Sequence, residues 1–164
     1  MREQQGCLGL VFKLLGIPAP AKDDMPRVQV NKYFVTDAEA DFFRVLRSVV
    51  GASGHILAQV SIGQLLWFPG NYQSNPGRQA WKNRVAAKSV DFVICEFSTL
   101  RPLVAIELDE PSHDRPDRQT RDEQVEAILN AASLPLVRFR TARTYDTRTM
   151  LSTLAPFLPG ASQK

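Results

Sequence analysis

The feature that most constrains the fold is a pair of short apolar runs carrying acid where a core strand ordinarily has none. Val90–Cys95 reads VDFVIC and Leu103–Leu108 reads LVAIEL, with Asp109 directly after it. Both runs are rich in β-branched residues and too short for buried helices, so they read as core strands. A carboxylate inside such a strand is costly unless something compensates it, so Asp91, Glu107 and Asp109 are the residues the fold has to accommodate. Strand side chains alternate. Glu107 and Asp109 therefore share a face with Leu103 and Ala105, while Val104, Ile106 and Leu108 take the other. If the two strands pair, Asp91 joins the acids. Three carboxylates meeting at a strand end make an all-oxygen site suited to Mg²⁺ or Mn²⁺.

The flanking sequence supplies what such strands need for cover. With 164 residues, 44% of them hydrophobic, the chain can bury one domain's core. Thr36 and Glu39 have capping-box spacing and Gly51 is a natural stop, which predicts a helix carrying Phe42, Phe43, Leu46 and Val50 on one stripe. Glu39 lies on that stripe as well as in the first turn. His55–Ile62 reads as a strand, Gly63–Phe68 as a short helix and Gly70–Gly77 as a loop. Gln79–Lys88 suits either a helix or an extended approach to the Asp91 strand. A second long helix is predicted from Asp117 to Ser133 with Val125, Ile128, Leu129 and Ala132 as its stripe. Extended backwards, that stripe reaches Asp122, Arg121 and Arg118, aiming them at the strand end that holds Glu107 and Asp109. Leu134–Phe139 is a fourth strand, and Thr149–Leu158 a closing helix with Met150, Leu151, Leu154 and Phe157 on one side. The order helix, strand, strand, strand, helix, strand, helix predicts an α/β domain over residues 35–160, with helices covering a small mixed sheet. Residues 1–34 read as an N-terminal amphipathic helix, Gly6–Ile17, followed by a proline-rich arm.

Charge distribution points to an anionic partner more than net charge does. Twenty basic and 17 acidic residues leave only +3, yet between Ser89 and Gln163 there is no lysine, while arginines recur from Arg101 to Arg148. Arginine's planar fork grips phosphate through two hydrogen bonds, so these residues are candidates for phosphate contacts. Lys88 is another, although it has the wrong parity to share Asp91's face. Trp81, beside Lys82 and Arg84, suits either stacking on a base or packing on the domain. Two cysteines, Cys7 and Cys95, make no disulfide framework or zinc site, and a cytoplasmic setting is expected. The apolar run at Gly6–Ile17 is interrupted by Lys13 and falls short of the roughly 20 residues a membrane span needs, so no membrane span is expected. Glycine-rich phosphate loops, H-E-x-x-H and paired C-x-x-C motifs are missing from the sequence.

Read together, KSVDFVIC, IELDEPSH, RQTRDEQV and ASLPLVRF resemble the PD-(D/E)XK, or restriction-endonuclease-like, nuclease superfamily. A closer likeness is to a bacterial branch whose layout is shared with very-short-patch mismatch repair endonucleases, and it runs from about Val35 to about Leu158. The resemblance implies an αβββαβ core and a Mg²⁺- or Mn²⁺-dependent nuclease acting on nucleic acid, with DNA the expected partner. Asp91 matches the superfamily's metal-binding Asp and Glu107 the acid of its E-x-K element, whose lysine is replaced here by Asp109. Asp109 is then a third metal ligand or an acid behind the ligands, and His113, in the loop after it, a general base or water-positioning group. Arg121, with Arg118 and Lys88, would hold the substrate phosphate. Glu39 is open to two roles, helix cap or supplementary acid, and Asp122 is a second supplementary candidate. The alternative reading is a non-catalytic nucleic-acid-binding or protein-interaction module that keeps the nuclease fold.

Overall fold

The computed structural model describes residues 27–70, 75–109 and 116–159, and for residues 116–123 the backbone alone. The predicted Gly6–Ile17 helix, Cys7 and most of the arm after it lie outside the described residues, as does the middle of the Gly70–Gly77 loop. The chain divides between Phe34 and Val35 into two units. Residues 27–34 of the first form neither helix nor strand. There the Tyr33 N–H donates to Asn31 Oδ1 at 3.3 Å, and Lys32 Nζ lies 5.1 Å from the centre of the Tyr33 ring.

The second unit opens with helix α1, Asp37–Val50. Thr36 Oγ1 accepts from the Glu39 N–H, and the Glu39 carboxylate accepts from the Thr36 N–H, completing the capping box. Gly51 ends the helix at φ 53° and ψ −123°, a conformation that costs little only without a Cβ. Then follow strand β1, His55–Ser61, the short helix α2, Ile62–Leu65, and helix α3, Pro76–Ala86. The open choice over Gln79–Lys88 resolves as helix because Asn75 caps it and Pro76 supplies a preset first helical position. Strands β2, Ser89–Cys95, and β3, Pro102–Asp109, come next, then helix α4, Pro116–Ala131, strand β4, Leu136–Arg140, and helix α5, Thr147–Leu154.

The four strands lie side by side in chain order. β1 and β2 run antiparallel, as do β2 and β3, whereas β3 and β4 run parallel. A parallel pair needs a crossover, and α4 provides it. The fold is thus a single α/β domain: a four-stranded mixed sheet with helices on both faces. Phe92, Ile94, Val104, Ile106 and Leu108 pack with Phe42, Leu46 and Val50 of α1 and Met150 and Leu154 of α5. Val93, Cys95 and Ala105 pack on the other side with Ile62, Val85, Val125 and Leu129. β3 alternates as expected from its sequence. In β2, Val90 and Val93 share a layer although they are three apart, so the two-residue alternation fails around Asp91.

Several boundaries differ from the sequence expectation by a few residues, α2 ending at Leu65 and not Phe68 and α4 at Ala131 and not Ser133 among them, and two of the shifts have a clear local reason. β4 begins at Leu136, not Leu134, because α4 ends in a Schellman turn. The Leu134 N–H donates to Leu129 O and the Ser133 N–H to Asn130 O, both at 2.9 Å, with Ser133 at φ 58°. α5 begins at Thr147, not Thr149, because Asp146 caps it, accepting from the Arg148 N–H at 3.0 Å and the Thr149 hydroxyl at 2.6 Å. Among the described residues no helix is long and apolar enough to cross a membrane.

Candidate active site

The site forms where β1, β3 and β4 end and β2 begins. The β2–β3 ladder reaches Phe92↔Ile106, which leaves Asp91 and Glu107 as the next opposed pair beyond it. Asp91 substitutes for the missing ladder bond: its Oδ2 accepts from the Leu108 N–H at 2.7 Å. On the other side, β1 and β2 pair at Ala58↔Phe92 and at Val60↔Val90, with Gln59 and Asp91 between them. Gln59 has φ 53°, unusual for a residue with a side chain, and marks a local distortion beside the acid.

That distortion matters because of where the Gln59 amide points. Its Nε2 donates to Glu39 Oε1 at 2.7 Å, while Glu39 Oε2 accepts from the Thr36 N–H at 2.6 Å and the Thr36 hydroxyl at 2.9 Å. Both oxygens of Glu39 are therefore engaged, yet its charge lies close enough to act on Asp91. The two roles open to Glu39 are not exclusive. Burial pushes the Asp91 carboxyl above the ordinary carboxylate value, the Leu108 N–H pulls it back, and the neighbouring negative charge of Glu39 raises it further. Glu39 and Glu107 both lie close enough to Asp91 to act on its carboxyl. Carboxylates gathered this closely repel one another unless a positive charge compensates them.

Asp109 takes a different partner. Its Oδ1 accepts from Arg138 Nη1 at 3.0 Å, and Arg138 Nε lies 3.8 Å from Glu126 Oε2 on α4. Parallel pairing sets Arg138 opposite Glu107 and Arg140 opposite Asp109. Among the described residues no three or more His, Cys, Asp or Glu side chains are arranged to hold a metal ion. Asp91 and Glu107 come together, Glu39 stands beside them, and Asp109 is drawn to Arg138.

Lys88 Nζ lies 3.4 Å from Gln124 Oε1 on α4. Trp81 meets Phe68 edge-on at 6.2 Å between ring centres, with Lys82 Nζ 5.6 Å from the same Phe68 ring. His113 lies outside the described residues, and Arg118, Arg121 and Asp122 belong to the part of α4 whose side chains are outside them. Gln59 and Glu126 were not singled out from the sequence, and Arg138 stood there only as one of the recurring arginines, not as the partner of Asp109. Gln59 gives no periodic signal because its backbone breaks the strand pattern, whereas Arg138 could have been found by pairing the fourth predicted strand in parallel with the third.

No curated protein and no solved structure matches the chain. A family model does, over residues 31–157, under the description "Protein of unknown function (DUF2726)", and the chain belongs to that family.

Proposed function

We propose that the protein is a divalent-metal-dependent nuclease that hydrolyses phosphodiester bonds of DNA, on a fold related to the PD-(D/E)XK superfamily. The observation carrying this reading is the Asp91–Glu107 pair, opposed at adjacent strand ends with the charge of Glu39 beside it. Acids gathered in a half-buried cluster offer an oxygen donor set whose charge a divalent cation would neutralise. Mg²⁺ typically uses only one or two protein carboxylates and keeps several waters, so Asp91 and Glu107 fit Mg²⁺ or Mn²⁺. When bound, such an ion lowers the pKa of coordinated water and neutralises charge developing on phosphate. The Leu108 N–H orients Asp91, and Gln59 with Thr36 orients Glu39. In the same reading Asp109 is an acid behind this pair, His113 a base or water-positioning group, and Arg121, Arg118 and Lys88 contacts to substrate phosphate. A cytoplasmic setting belongs to the proposal and accords with Cys95 as a buried free thiol.

One observation favours a second reading, a nucleic-acid-binding or protein-interaction module without catalysis. Asp109, at the position of the superfamily's lysine, is occupied by an ion pair with Arg138. Labelled single-stranded, duplex, branched and mismatched DNA, each incubated with Mg²⁺ or Mn²⁺, separates the two. The nuclease reading expects cleavage by the parent and a loss of at least about 100-fold in Asp91→Asn and Glu107→Gln, since metal stabilisation of the transition state is worth several kcal/mol. Binding without cleavage under either metal sinks it in favour of the module.

A further inference from the structure

At the ends of β3 and β4 four charges lie in register: Glu107 opposite Arg138 and Asp109 opposite Arg140. Opposed residues of a parallel ladder, and residues two apart on one strand, project from the same face. The layers agree with this. Ala105 and Leu136 pack with Val125 and Leu129 of α4, while Val137 and Phe139 pack in the opposite layer. Two acids and two arginines therefore share the α4 side of the sheet, next to the Asp91–Glu107 pair.

Arg138 is held without being consumed. Only Nη1 is within hydrogen-bond distance of Asp109, at 3.0 Å, and Glu126 stands off at 3.8 Å from Nε. Arginine carries five N–H donors, so most of the fork has no partner among the described residues. Its side chain is 28% exposed, enough to meet a ligand yet fixed enough to lose little freedom in doing so. Arg140 is exposed and makes no ion pair among the described residues. A planar, pre-aimed guanidinium with donors to spare, one strand away from a site proposed to cut phosphodiesters, matches the geometry of a phosphate.

We infer that Arg138, with Arg140 beside it, is a further DNA-phosphate contact of this site, and that Asp109 is the positioning acid that aims Arg138 and competes with phosphate for it. The inference rests on the proposed nucleic-acid substrate and names the residues that receive its backbone.

The test exploits the fact that Arg138→Gln and Asp109→Asn break the same ion pair. Binding of the full chain to a fluorescein-labelled 25-base-pair duplex is measured by anisotropy in EDTA across a KCl series. Arg138→Gln is expected to weaken binding about tenfold at low salt and to reduce the slope of log affinity against log salt by about 0.9, the value of one lost phosphate contact. Asp109→Asn is expected to tighten binding with the slope unchanged, and Arg138→Lys to keep the slope while losing part of the affinity. Should Arg138→Gln fail to fold, Arg138→Lys and Asp109→Asn still decide the matter. A purely structural ion pair predicts that both partners' variants weaken binding together, and that outcome, or an unchanged slope in Arg138→Gln, overturns the inference while leaving Asp91-dependent cleavage intact. A parent that binds no DNA at any salt overturns this inference and the proposed function together.

Discussion

Asp91 replaces a lost ladder bond with a side-chain bond to the Leu108 N–H, and in doing so brings its carboxyl between Glu39 and Glu107. Because burial holds this carboxyl above its ordinary value, the native state binds a proton there more tightly than the unfolded chain does. The cost of the charged form is complete above the native pKa, and it is relieved as pH falls through that value toward the unfolded 3.8. Asp91→Asn keeps an oxygen for the Leu108 N–H but carries no charge. It should raise the melting temperature of the metal-free protein at pH 7 and reduce the stabilisation that the parent gains on mild acidification. Thermal melts across a pH series from 7 down to 4, followed by circular dichroism in EDTA, check this; a variant less stable than the parent at pH 7 would show that the carboxyl is not strained.

At the scale of elements, α1 does two jobs through one acid. Glu39 closes the capping box with Thr36 and meets Gln59 of β1, so the start of the helix is tied to the sheet beside Asp91. Thr36→Ala removes the hydroxyl that accepts from the Glu39 N–H and should cost about 1 kcal/mol in urea denaturation. Because that hydroxyl also donates to the Glu39 carboxylate, the substitution frees one side of the acid, and any cleavage activity should fall alongside stability. A stability loss with activity untouched would confine Glu39 to capping. The crossover α4 is the other element that serves the site: its Glu126 flanks Arg138, and its Schellman turn sets where β4 can begin.

Across the whole molecule, the sheet is held between two apolar layers, and the α1 layer is centred on Phe42. Phe42 is fully buried, its ring centre 5.6 Å from Phe92, 5.3 Å from Phe139 and 5.2 Å from Tyr145, so it joins α1 to β2, to β4 and to the segment before α5. Phe42→Ala should cost about 3–5 kcal/mol, measured by urea denaturation, because the cavity opens against three elements that cannot collapse together. The identity and order of these elements could be read from the chain because capping boxes, stripes and alternation are local: Thr36 with Glu39, Val125 with Leu129, and Val104 with Ile106 and Leu108 each declare themselves within a few residues. The same locality makes Asp91, Glu107 and Asp109 visible as acids in apolar strands. Their partners are another matter. Which cation meets Asp109 depends on β4 lying parallel to β3, and which acid meets Asp91 depends on α1 crossing the sheet at Gln59, whose backbone departs from the strand pattern. Local propensity specifies an element and its faces, but the juxtaposition of residues 20 or more positions apart is set by strand register and crossover, and only the folded chain fixes these.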